Sequence, residues 1–299
     1  MHSLRIVCPV DFSDCSRRAL RYAGALAAHF CTRLSVVHVA DPFLAGAVVV
    51  HELAGDGQDE LRQFVKDNLR PAPPAGFEPD VTLAVGSPAR EIVSFADAHG
   101  ADLIVMGTHG YTGARKTYFG STAEHVLRQS RVPVLTVPLA TTREADIVAP
   151  LISSGPVIAP VDFSAESYAA AHAASGLARA LDLPLVLLHV EEPTAIPDAD
   201  NMLKGLAKGL THYIPIEARI VRGNPGNEIA RVARDEHASV VVLSLAKSAH
   251  HSRNLPGSVA YSVLCQAAAP ILALPATESG HIFITHLREE VALGSVGQV

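Results

Sequence analysis

Gly107-Thr108-His109-Gly110, followed after nine residues by Gly120-Ser121, has residue types and spacing suited to cradling phosphate. Glycine lets the backbone come close to an anion. The first-turn amides of a following helix point at that anion, and the helix dipole favours its charge. Arg115 and Lys116 add cations within the loop. Taken singly, a glycine after a strand is turn chemistry and a serine before a helix is an N-cap. The whole pattern, G-x2-G-x9-G-S behind an apolar strand, goes beyond either. It also differs from other phosphate loops, since the chain has no G-x-x-x-x-G-K-[ST] and no G-x-G-x-x-G after its first strand.

The flanking elements must hold this loop. Asp102-Leu103-Ile104-Val105-Met106 is a short apolar run of the kind that forms a strand buried on both faces. From Gly120 the pattern turns helical, with Ala123, Val126 and Leu127 on one face. Ser121-Thr122-Ala123-Glu124 has capping-box spacing and predicts Ser121 as the helix cap.

The same logic extends along the chain, which repeats itself. Ile6-Val7-Cys8-Pro9-Val10-Asp11-Phe12-Ser13 recurs as Val157-Ile158-Ala159-Pro160-Val161-Asp162-Phe163-Ser164. Leu34 to Val39 recurs as Leu185 to Val190, Ser87-Pro88 as Asn224-Pro225, and Gly120-Ser121 as Gly257-Ser258. The later matches share a shorter offset, so the second copy has lost residues between its second and third strands. Copy one predicts strands at 4–10, 34–39, 79–85, 102–106 and 133–137, with helices at 14–30, about 56–70, 88–99 and 120–130. Alternating strands and helices imply two tandem α/β domains, each a doubly wound parallel sheet with ligands beyond its strand ends. The expected division is 1–140 and 156–276, joined by a linker at 141–155 and followed by a tail at 277–299. Residues 41–55 and 71–76 read as mobile loops.

A formal charge of −6 offers no electrostatic footprint for nucleic acid or an anionic membrane. The apolar stretches are too short to span a bilayer. The first strand follows Met1 directly with no signal sequence, so a cytoplasmic location is the expectation. Cys8, Cys15, Cys31 and Cys265 have neither C-x-x-C spacing nor paired clustering and read as reduced. His250-His251 has no second ligand cluster at a recognisable spacing, so no metal site is assigned.

With these motifs in place, both halves, from residue 4 to about 275, resemble the universal stress protein family in a tandem form. The resemblance implies five-stranded parallel sheets of order 3-2-1-4-5. It also implies pairing of the two copies within the chain, with a homodimer as a further option. Similarity to the nucleotide-binding branch implies ATP, or ADP or AMP, with or without Mg. In that branch Asp11 would hold the ribose and Val39 the adenine. Pro9, Val10 and Met106 would form apolar walls. Gly107, Gly110, Gly120 and Ser121 would seat the phosphates, with His109 and Thr122 beside them. In copy two, Ser244 and Lys247 replace the first two loop glycines while Asp162 and Val190 remain, so that copy is expected to have lost triphosphate binding.

Three functions follow. The first is a stress-response regulatory protein that binds adenine nucleotide in its first domain. A slow ATP hydrolase is the second, with Ser121 and Asp11 as magnesium ligands and His109 as base. The third is a structural or interaction module that binds no nucleotide.

Overall fold

A computed structural model describes residues 4–41, 57–69, 77–108, 119–139, 155–193, 196–210, 214–245 and 258–275. The chain divides into two compact units, Met1–Ala140 and Thr141–Val299. The predicted linker, apart from Gly155, the tail at 277–299 and most of both predicted mobile loops lie outside the described residues.

In the first unit β1 (Arg5–Val10) leads to α1 (Asp14–His29), β2 (Arg33–Ala40), a helix α2 over 57–68, and β3 (Asp80–Val85). It continues through α3 (Pro88–Ala98), β4 (Leu103–Gly107), α4 (Ser121–Gln129) and β5 (Val134–Val137). The sheet order is β3-β2-β1-β4-β5, with every described pairing parallel. The second unit repeats it with β6 (Val157–Pro160), α5 (Ala165–Ala180), β7 (Leu185–Glu191), α6 (Ala199–Leu210), β8 (Ile216–Arg222), α7 (Pro225–Asp235), β9 (Val240–Leu245), α8 (Val259–Gln266) and β10 (Ile271–Pro275). Its order is β8-β7-β6-β9-β10, again parallel. The 3-2-1-4-5 winding implied by the family resemblance is therefore present, and each predicted element of copy one lies within about two residues of its expected bounds.

The central strands β1 and β4 are apolar runs, buried on both faces as a helix-covered parallel sheet requires. β3 and β8 each end the order of their own unit and are only half-buried. Side-chain capping fixes where the helices start. Ser13 Oγ accepts the Ser16 amide at 3.1 Å to open α1, and Ser164 does the same for Ser167 at 3.1 Å to open α5. Pro88 and Pro225 take the first turns of α3 and α7, where a missing N–H costs nothing.

Candidate functional site

Order 3-2-1-4-5 places β2 on one side of β1 and β4 on the other. Crossovers leave these strands in opposite senses, which opens a crevice at their carboxyl ends. Pro9, Val10 and Met106 are buried at this point, and Asp11, Val39 and Gly107 are half-buried. The last β1–β2 pair is Val10 with His38, yet β2 runs on with β3 through Val39 and Ala40. Beyond Val10 the chain leaves the sheet, because the Asp11 amide donates to Ser16 Oγ at 3.2 Å.

Asp11 organises that exit. Its Oδ1 accepts both the amide (3.2 Å) and the hydroxyl (2.5 Å) of Ser13, the residue that caps α1. An acid at a strand end that shapes the following turn is common local chemistry. This oxygen is therefore committed to the protein. In copy two, Asp162 Oδ1 holds Ser164 in the same way, at 3.0 and 2.6 Å. Burial raises the Asp162 carboxyl, but hydrogen bonds from Ser164 and Ser167 outweigh that and leave it below the usual carboxylate value.

On the other side of the crevice, Thr108 donates its amide to Val137 O at 3.2 Å and accepts the Gly120 amide at 2.8 Å. This joins the entrance of the glycine loop to its exit. His109, Gly110, Arg115 and Lys116 lie outside the described residues.

The start of α4 corrects one expectation. The predicted capping box at Ser121-Thr122-Ala123-Glu124 does not form, since Gly120 is the N-cap and Ser121 is already helical. Gly120 has no side chain to accept an amide, and Glu124 pairs instead with Arg128 at 3.6 Å. The first turn of α4 thus has no side-chain cap. At the corresponding helix in copy two, Ser258 is the N-cap and its Oγ accepts the Tyr261 amide at 3.1 Å. Among the described residues α4 opens without a side-chain cap, whereas α8 is closed by its own serine.

Gly107 has a second reason to be glycine. A Cβ there would lie 2.9 Å from Cys15 Sγ and 3.0 Å from the Cys15 carbonyl carbon, so α1 can pack this closely on β4 only if the methyl is missing. Ser244 occupies the matching register position of β9. Cys8 is fully buried on β1, and burial pushes its thiol far up.

The repeated Phe and His, visible in the sequence only as repeats, are in contact. Phe12 (φ 63°) and Phe163 (φ 65°) are in the left-handed region. Each ring lies 4.7 Å from a histidine of the neighbouring strand, His38 or His189. Their shared offset between the copies was the available signal.

Among the described residues no group of three His, Cys, Asp or Glu side chains could hold a metal, and His250 and His251 lie outside them. No described helix is long and apolar enough to cross a membrane.

A doubly wound sheet whose strand ends meet at a switch-point crevice belongs to the class of α/β folds that take their ligands there. The universal stress protein family model matches residues 3–138 and again 154–275, so the chain belongs to that family and carries its domain twice. A universal stress protein of Methanocaldococcus jannaschii is 36% identical over 141 residues, covering 44% of this chain and 81% of that protein. One from Mycobacterium tuberculosis is 26% identical over 291 residues, covering 90% of this chain and 96% of its own length, and so matches the tandem form. The crystal structure of a universal stress protein from Archaeoglobus fulgidus superposes with a TM-score of 0.73 at 20% identity, over 93% of this chain and all of that one, which establishes the shared fold.

Proposed function

We propose that the N-terminal domain binds ATP, or ADP or AMP in its place, and that the protein acts as a stress-response regulator rather than as a catalyst. The observation that carries this reading is the uncapped first turn of α4 beside the β1–β4 crevice, set against its serine-capped twin at α8. Helix-start amides that no side chain caps suit a phosphate chain. In this reading the phosphates lie over Gly107, Gly110, Gly120, Ser121 and Thr122, with His109 alongside, and Mg accompanies them. Asp11 holds the ribose, Val39 lies against the adenine, and Pro9, Val10 and Met106 wall the site. The C-terminal domain serves as a degenerate partner, with the boundaries 1–140 and 156–276, the linker 141–155 and the tail 277–299 as part of the proposal. Pairing of the two domains within the chain and a homodimer belong to it as well. A cytoplasmic location suits the four free cysteines.

Gly120→Asp tests the cradle. An aspartate at this N-cap would accept the first-turn amides itself and place a carboxylate where phosphate charge must sit. We expect a fluorescent ATP analogue to bind more than about tenfold more weakly, while the thermal midpoint is kept or raised. Equal affinity in the two proteins would overturn the reading.

A further inference from the structure

We propose that His38 is a positioning residue that fixes the strand-end acid Asp11, and that His189 does the same for Asp162. Only the ligand-binding readout of this role rests on the proposed nucleotide site.

His38 projects from β2 opposite Val10, and its Nδ1 lies 2.8 Å from Val10 O. A carbonyl can only accept, so Nδ1 carries the proton and donates it. The same ring lies 4.7 Å from Phe12 at 57°, and Phe12 meets Phe64 edge-on at 5.1 Å. Phe12 is a bulky residue in the left-handed region, a conformation that persists only where surroundings enforce it. Asp11 lies between these two neighbours. One imidazole therefore holds the carbonyl before the acid and the ring after it.

Copy two repeats the histidine contacts. His189 Nδ1 lies 2.8 Å from Val161 O, its ring 4.7 Å from Phe163, and Phe163 has the same left-handed φ. The repetition is informative because other parts of the two sites have diverged, at Gly107 and Ser244 and at the caps of α4 and α8. His189 is 4% exposed, and its Nε2 has no hydrogen-bond partner among the described residues. A buried polar atom without a partner is a cost that an aliphatic side chain would avoid. The imidazole is kept there despite that cost, which points to the Nδ1 contact as its use.

Two variants test this in the full-length protein. His38→Leu keeps apolar contact with Phe12 but removes the donor, and His38→Asn restores an N–H donor near the Nδ1 position. Amide exchange of Ser13 and Ser16, which report the Asp11 turn and the α1 cap, should speed up about tenfold in His38→Leu and return towards wild type in His38→Asn. Affinity for the ATP analogue, measured well below the thermal midpoint, should fall about tenfold and recover in parallel. A lower midpoint for His38→Leu with unchanged exchange at Ser13 and Ser16 would reduce the histidine to a packing residue and overturn the proposal, as would failure of His38→Asn to restore exchange. If the wild-type protein bound no ATP, the nucleotide reading would fail while the exchange pattern still decided the role of His38.

Discussion

The Ser258 hydroxyl accepts the Tyr261 amide at 3.1 Å and closes the first turn of α8, whereas Ser121, its counterpart in the repeat, is the first helical residue of α4 and caps nothing. The same residue type thus has two different roles one helix position apart. Ser258→Ala should cost about 1 kcal/mol of stability by removing a cap. Ser121→Ala should stay within about 0.5 kcal/mol, as for an ordinary surface change. Urea denaturation of the two variants against wild type would distinguish them, and equal losses would contradict the assignment of the caps.

Gly107→Ala should destabilise the N-terminal unit by about 1–3 kcal/mol, because the added methyl meets Cys15. Adding Cys15→Ala should recover only part of that loss. It removes the sulfur contact at 2.9 Å but leaves the backbone carbon at 3.0 Å. A double-mutant cycle reads the coupling, and strict additivity would show that the two residues do not press on each other.

Thiol chemistry follows burial. Cys31 is exposed and should react first with iodoacetamide under native conditions. Cys8 and Cys15 are buried and should be labelled only on unfolding, Cys8 all the more because burial holds its thiol protonated. Peptide mapping after a short pulse would give the order.

Asp162 sets the sign of one pH effect. Its carboxyl titrates below the usual carboxylate value in the folded chain, so the unfolded chain binds the proton more readily. The stability it contributes is present above the unfolded pKa, near 4, and is lost as pH falls through the folded value. Asp162→Asn should therefore flatten the acid limb of the stability curve and leave its slope at neutral pH unchanged. Denaturation midpoints collected from neutral pH down into the acid range would show this.

The fold was legible because its signals are local and duplicated. The repeated Pro-Val-Asp-Phe-Ser and His-Val strand ends, together with Ser87-Pro88 and Asn224-Pro225, marked where strands stop and helices begin. The order of residues around the crevice could be read for the same reason. Local spacing misplaced the cap of α4, since Ser121 and Gly120 both satisfy start signals and it is the Gly120 carbonyl that accepts the first helical amide, from Glu124 at 2.9 Å. The approach of Cys15 to Gly107 links residues far apart in sequence, so no local pattern encodes it. The left-handed backbone at Phe12 runs against that residue's own preference and is imposed by its neighbours.

The tight joint between α1 and β4 also makes the two halves poorly interchangeable. Where copy one has Cys15 against Gly107, the repeat has an exposed Glu166 and Ser244 at the matching positions. A chimera that grafts β9 into the N-terminal half, or α1 into the C-terminal half, would bring together surfaces that have drifted apart in pairs. Parts traded between the duplicates would have to travel as helix-and-strand couples, and reverting either residue by itself would leave the seam ill-fitting.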